Sequence, residues 1–369
     1  MADLSYTEYP VPMTPVRALS AAVLLALATA PIAAQNPLAT PFTAPFESYL
    51  ELLRQQAGIP GLSAALVQDG KVVWERGFGY QNIESRIPAT PDTPYLVGDI
   101  SQTVAAVLLL QCVEIRRMTL DEQVSKFGVR LPDTDPTLRQ VLSHTTAGEN
   151  GQIYKYDAER FAQLTFAIEW CAPQSYRKSV SHRILDRLAM KDSVPGSDLL
   201  DVTIVPEELW EPAALERYQR VLQRLAIPYR LDKRNRPVRA EPPKSEGVSA
   251  AAGLVSTVRD FARFDAALDD GILLKEDTLQ VAWRNVIGRD GLPLPTGLGW
   301  FVQTYRNQPI VWHFGYVPNG YSSLVIKLPN RRLTLILLAN SDGLVAPYQL
   351  PLGDVTKSVF ANIFLRLFT

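Results

Sequence analysis

In a chain of 369 residues, few side chains are grouped so that they could do chemistry, and one stretch holds the densest group. In YLVGDISQTVAAVLLLQ, from Tyr95 to Gln111, the half from Val104 onward is almost wholly apolar, while the first half carries Asp99, Ser101 and Gln102. Such a stretch is a loop feeding a buried helix. At that boundary Asp99 can cap the helix by accepting from the Ser101 or Gln102 N–H, contact a ligand, or act as a nucleophile or acid/base. A helix N-terminus favours its ionised form in each case. Ser101 is badly placed as a nucleophile, because the residue one helical turn on is Val104, which offers no base. The three histidines, His144, His182 and His313, are far apart, and Cys112 and Cys171 are the only cysteines. No metal-ligand spacing results, so neither a metal nor a cofactor is expected.

The elements that must position these residues follow from periodicity. FESYLELLRQQAG places Phe46, Tyr49, Leu50 and Leu53 on one helical face and stops at Gly58. GLSAALVQDGKVVWERGFGY is a hairpin turning at Asp69-Gly70. Helical patterns dominate from Ser101 to Phe264, as in RFAQLTFAIEWC, LWEPAALERYQRVLQRL and the Ser/Thr-capped VSTVRDFARFDAALDDG. After Leu298 the period becomes two, and GLGWFVQTYR, PIVWHFGYV, YSSLVIKLP and RLTLILLANS read as successive antiparallel strands. A closing helix is expected from Val355, Val359, Ile363 and Leu367, spaced four apart. Export would make a Cys112–Cys171 disulfide possible, but both cysteines sit in apolar helical patterns and read more simply as core.

The fold class expected is therefore α+β. One antiparallel sheet is built from both chain ends and flanked by the terminal helices, with a mainly helical lobe inserted. The sheet lobe is expected at 46–98 and 265–369, and the helical lobe at 99–264. Residues 1–34 read as an export signal whose start is Met13, with MTPVR before the apolar ALSAAVLLALATAPIAA and a cleavage site after Ala34; 35–45 is a Pro-rich linker. The protein is thus expected to be periplasmic or secreted, or membrane-anchored if the segment is retained. No later run is long enough to span a bilayer. A net charge of −1 with no basic stripe argues against nucleic acid as a partner.

Several segments, in order, resemble the serine β-lactamase and penicillin-binding protein superfamily, nearest its class C and esterase branch. They are IPGLSAALVQDGKVVWERGFGY, TPDTPYLVGDISQT, MTLDEQVSKF, LRQVLSHTTAG, AAGLVSTVRDFARF, GLGW and HFGYVPNGYSSLVIKLPNRRLTLILLANSD. The resemblance runs from Phe46 to the C-terminus and implies the same fold. It also implies three motifs, of which the first, S-x-x-K, supplies a serine nucleophile and a lysine that helps take its proton. Here Asp99 and Gln102 stand in those two places. Y-x-N is matched by Tyr156 with Ala158 in place of the asparagine, and H-x-G by His313 and Gly315. The oxyanion hole implied is the backbone N–H pair of Asp99 and Tyr316. His144, in LSHTTAG, matches a structural loop, and His182 sits on a helix surface.

Loss of both nucleophile and base removes the usual acylation chemistry, since each contributes orders of magnitude. Attack by Asp99 on an ester would give a high-energy anhydride, and a carboxylate at this place repels anionic substrates. The resemblance thus implies a pseudoenzyme whose cleft, with Asp99, Gln102, Tyr156, His313 and Tyr316, holds a small molecule, a peptide or a partner protein. The alternative is an esterase- or amidase-type enzyme, or one of rewired chemistry, using Asp99, Tyr156 and His313.

Overall fold

Asp69 and Gly70 both take positive φ, 50° and 72°, the backbone that a two-residue hairpin turn requires. The computed structural model describes residues 43–132, 134–147, 152–200, 212–234, 236–243 and 247–369. The signal-like segment and nearly all of the expected linker lie outside these residues.

The turn joins β1 (Gly61–Gln68) to β2 (Lys71–Asn82), and β3 (Ile87–Pro88) adds an edge. Two small units follow. β4 (Tyr95–Leu96), β5 (Val194–Pro195) and β8 (Leu254–Ser256) form one, and β6 (Tyr229–Leu231) with β7 (Pro237–Arg239) forms the other. The last strands are β9 (Phe301–Tyr305), β10 (Gln308–Val317), β11 (Tyr321–Leu328) and β12 (Leu333–Ala339). The main sheet has the order β3-β2-β1-β12-β11-β10-β9. β1 pairs antiparallel with β12 from Leu62↔Ala339 to Gln68↔Leu333, so the two chain ends do close one sheet.

Alternation along the central strands sends side chains into two cores. Leu62, Ala64, Leu66, Leu335 and Leu337 face one, which α1 (Thr43–Gln56) covers; Ala65, Val67, Ile336 and Leu338 face the other. In the second core lies α2 (Ser101–Glu114), buried without interruption from Ser101 to Cys112 because it is apolar on every side. Around it are α3 (Leu138–Leu142), α4 (Ala158–Ala162), α5 (Leu164–Cys171), α6 (Tyr176–Val180) and α7 (Pro212–Leu222). α8 (Val258–Asp269), capped by Thr257, packs on β1, β2 and β12. The lobe boundary expected at 264 therefore falls inside a helix that belongs to the sheet layer. α9 (Glu276–Ala282) and α10 (Val359–Phe368) complete the helices described.

Two expectations need correction. Cys112 and Cys171 are joined by a disulfide between α2 and α5, with Cα atoms 6.3 Å apart. Apolar periodicity is the same for a paired and an unpaired cysteine, so the pattern could not separate them. The closing helix is present, but its buried face is Phe360, Ala361, Phe364, Leu365 and Phe368, not Val359, Ile363 and Leu367. Both sets are spaced four apart, and the aromatic set buries more area. Among the described residues no helix is long and apolar enough to cross a membrane.

Candidate active site

Two glycines bring the Asp99 turn against the sheet. Gly98 opens a short 3₁₀ turn, Gly98–Ile100, at φ +57°, and a Cβ there would sit 2.6 Å from the Tyr316 nitrogen. A Cβ on Gly315 would lie 1.9 Å from the Val97 carbonyl oxygen. No side chain fits at either place, and the turn therefore docks on β10. The Ser323 hydroxyl fixes it by donating to the Val97 carbonyl at 2.7 Å.

Asp99 does not cap α2. The residue at the cap position is Ile100, with no side-chain cap bond. The Asp99 carboxylate instead reaches across the cleft: Oδ1 accepts from the Tyr156 hydroxyl at 2.9 Å, and Oδ2 accepts from the Tyr316 N–H at 2.9 Å. The second donor comes from a residue far along the chain, which local sequence does not reveal.

Behind this pair runs a chain of hydrogen bonds with one direction. The Asp157 N–H donates to His144 Nδ1 at 3.1 Å, so the His144 proton is on Nε2. His144 Nε2–H then donates to Gln102 Oε1 at 3.0 Å, and Gln102 Nε2–H donates to the Tyr156 oxygen at 2.8 Å. The Tyr156 hydroxyl has its hydrogen left for Asp99. Gln102, fully buried, is thus a neutral link that both accepts and donates. His144 sits in the left-handed region at φ +52°, and its ring packs on Tyr156 and Phe161.

Electrostatics follow from burial. Desolvation pushes the Asp99 carboxyl from 3.8 up to about 6, against the opposing pull of the Tyr156 hydroxyl and the Tyr316 and Asp99 N–H groups. Burial raises Tyr156 well above its ordinary value, and the Asp99 charge adds to this. Burial also lowers His144 to about 3, with His313 contributing, and lowers His313 to about 4. Both rings are therefore neutral near pH 7.

The structure thus gathers Asp99, Gln102, Tyr156 and Tyr316 into one hydrogen-bonded group. His313 is fully buried on β10, and Nδ1–H donates to the Phe314 carbonyl at 2.6 Å. It is joined to the group through aromatic packing on Phe301, which also stacks on Tyr156, and not by a hydrogen bond to Asp99. Ala158 opens α4 and brings no polar side-chain atom. His182 is exposed. His144 is the member that the resemblance assigned to a structural loop: it supports the site by fixing Gln102. Its place beside the cleft depends on the loop after α3, which has no periodic signature.

The two N–H groups of the implied oxyanion hole, those of Asp99 and Tyr316, both stabilise Asp99's own carboxylate. The 2.9 Å contact at Tyr316 is the distance at which such a donor holds a substrate oxyanion.

The beta-lactamase family model matches residues 46–354. The chain belongs to the beta-lactamase family. It is 30% identical over 118 residues to the serine beta-lactamase-like protein LACTB, mitochondrial, of Mus musculus, covering 29% of this chain and 21% of that protein. To protein flp of Staphylococcus aureus (strain MW2) it is 21% identical over 335 residues, covering 79% of this chain and 62% of that one. The chain thus spans less than two thirds of either relative. The fold matches an octameric penicillin-binding protein homologue from Pyrococcus abyssi, with a TM-score of 0.69 at 22% identity over 88% of this chain and 77% of that one. It also matches D-amino acid amidase from Ochrobactrum anthropi SV3 complexed with L-phenylalanine amide, with a TM-score of 0.67 at 19% identity over 89% and 98%.

Proposed function

We propose that this family member does not acylate and that its cleft binds a ligand. The observation that carries the reading is the Asp99 carboxylate held on the Tyr316 N–H. A serine hydrolase needs a nucleophile, a base and a vacant pair of donors for the developing oxyanion. Asp99 replaces the first, Gln102 is no base, and the donors already hold a charge. A substrate carbonyl would have to displace a bound anion from its own backbone, at a cost of a charge-assisted hydrogen bond.

The test is covalent labelling. The protein is incubated with a fluorophosphonate, nitrocefin and p-nitrophenyl esters, and both turnover and intact mass are read. No added mass and no turnover is the result expected. An acyl adduct on any cleft residue overturns the reading.

A second reading rests on one observation. A carboxyl pushed up to about 6 and joined to a tyrosine hydroxyl is suited to acid/base work near neutral pH. Turnover of a non-acylating reaction that is lost in Asp99→Asn would favour it. We also propose that the protein acts outside the cytosol: the signal-like segment and the Cys112–Cys171 bridge both support this.

A further inference from the structure

We propose that a small cavity behind β10 is a binding site for one internal water molecule, held by Trp283 and Asp265. The inference is independent of what the Asp99 cleft binds.

The cavity measures about 20 Å³ and lies between α8, the end of α9 and one face of β10 and β11. Asp265, Trp283, Val311, His313, Val325 and Lys327 are among the residues that line it. A water molecule needs about 10–15 Å³ of such space, and an organic ligand needs far more. Two buried polar atoms of the lining have no hydrogen-bond partner among the described residues: Asp265 Oδ2 and Trp283 Nε1. Asp265 is only 5% exposed, so bulk solvent does not serve it.

Lys327 cannot supply the missing bond. Its Nζ donates to Asp265 Oδ1 at 3.0 Å, to Asp269 Oδ2 at 2.9 Å and to Thr334 Oγ1 at 3.1 Å. An ammonium has three N–H groups, and all three are used. The lining thus pairs an acceptor that lacks a donor with a donor that lacks an acceptor. Leaving either unmade costs free energy. The occupant must accept from the indole N–H and donate to the carboxylate. An ammonium only donates, and a metal cation would meet the indole hydrogen. A halide would meet the carboxylate. Water does both and fits the volume. Its second hydrogen has an acceptor in His313 Nε2, because His313 Nδ1–H is committed to the Phe314 carbonyl. The water joins α8 and the end of α9 to β10, the strand that carries the Tyr316 donor of the candidate site.

The first test is a crystal structure of the full chain at a resolution that shows ordered water. One density peak about 2.7–3.2 Å from both Trp283 Nε1 and the Asp265 oxygen turned away from Lys327 is expected. A cavity without density, or a Trp283 Nε1–H bonded directly to a protein acceptor, overturns the proposal. The second test is made in solution on ¹⁵N-labelled protein. A rotating-frame Overhauser contact from water to the Trp283 indole hydrogen is expected, with the sign of a long-lived bound molecule and not of proton exchange. The indole signal is assigned by its loss in Trp283→Phe, or through bonds in the parent protein if that variant does not fold. No contact from water to that hydrogen overturns the proposal.

Discussion

Asp99→Asn is the sharpest probe of the site, because its effect on stability changes with pH. Burial raises the Asp99 carboxyl from 3.8 to about 6. A carboxyl held more tightly protonated in the folded state contributes its full share of stability below the unfolded value. That share is lost as pH rises from about 3.8 to about 6 and stays lost above. Two pH units at about 1.4 kcal/mol each give about 3 kcal/mol, and partial exposure of Asp99 reduces this to about 2. Asparagine keeps the shape and the bond from the Tyr316 N–H but leaves the Tyr156 hydroxyl hydrogen without its acceptor, a loss of about 1 kcal/mol at every pH. Asp99→Asn is therefore expected to be less stable than the parent by about 1 kcal/mol near pH 4 and more stable by about 1 kcal/mol near pH 8. Urea unfolding of both proteins across that range measures the difference, and titration of every other carboxyl cancels. A difference that does not change with pH would refute the reasoning, and with it the claim that the carboxylate is held at a desolvation cost. An asparagine variant that becomes less stable as pH rises would show the opposite sign and would mean that Asp99 is a stabilising cap.

Other outcomes follow from the same geometry. Asp99→Ser alone is expected to remain unlabelled by fluorophosphonate, whereas Asp99→Ser with Gln102→Lys is expected to label, since a positioned base is worth about 10²–10⁴-fold; equal labelling of the two would show that Gln102 is not in the base position. Tyr156→Phe removes the hydroxyl that serves Asp99 and Gln102 together, and chemical denaturation is expected to show a loss of about 1–3 kcal/mol. Reducing the Cys112–Cys171 bridge releases a loop closed over a separation of 59 residues. It is expected to cost about 4 kcal/mol, read by unfolding with and without reductant. Lys327 is buried between Asp265 and Asp269. Lys327→Met is expected to destabilise by about 3–5 kcal/mol, because it leaves two buried carboxylates without their cation.

How far the sequence speaks depends on the range of the interaction in question. The Asp69-Gly70 turn, the four C-terminal strands and the buried α2 are legible because each is set by a local pattern: positive φ, period two, or an unbroken apolar run. The tail helix is legible as a helix but not in its orientation. Phe360, Phe364 and Phe368 compete with Val359, Ile363 and Leu367 at the same spacing, and only the packing partner decides. Phe368 meets Phe46 of α1 with ring centroids 5.5 Å apart, a contact between the first and last described helices. The disulfide is illegible for the same reason, since it depends on how α2 crosses α5. In the site, residue types mark Asp99 and Gln102 as unusual. They do not show that Gln102 joins His144 to Tyr156, because that chain needs three separate segments.

The partners of Asp99 explain why a carboxylate at the place where the family resemblance expects a serine has consequences beyond a missing hydroxyl. A carboxylate there takes up the backbone donors that would serve a substrate, and it turns the tyrosine hydroxyl towards itself. Once the tyrosine hydrogen is committed, the tyrosine oxygen can accept from a neighbour, and Gln102, unlike a protonated lysine, adds no charge while it does so. The neutral amide in turn needs a donor for its own oxygen, which His144 Nε2–H supplies. Asp99 and Gln102 are therefore coupled through the Tyr156 hydroxyl. With Asp99 in place a lysine would pair with it, and with a serine restored in the nucleophile place Gln102 would leave that serine without a base. Restoring either residue alone should leave the site inert, and the double variant is the one that separates a lost activity from one that has changed.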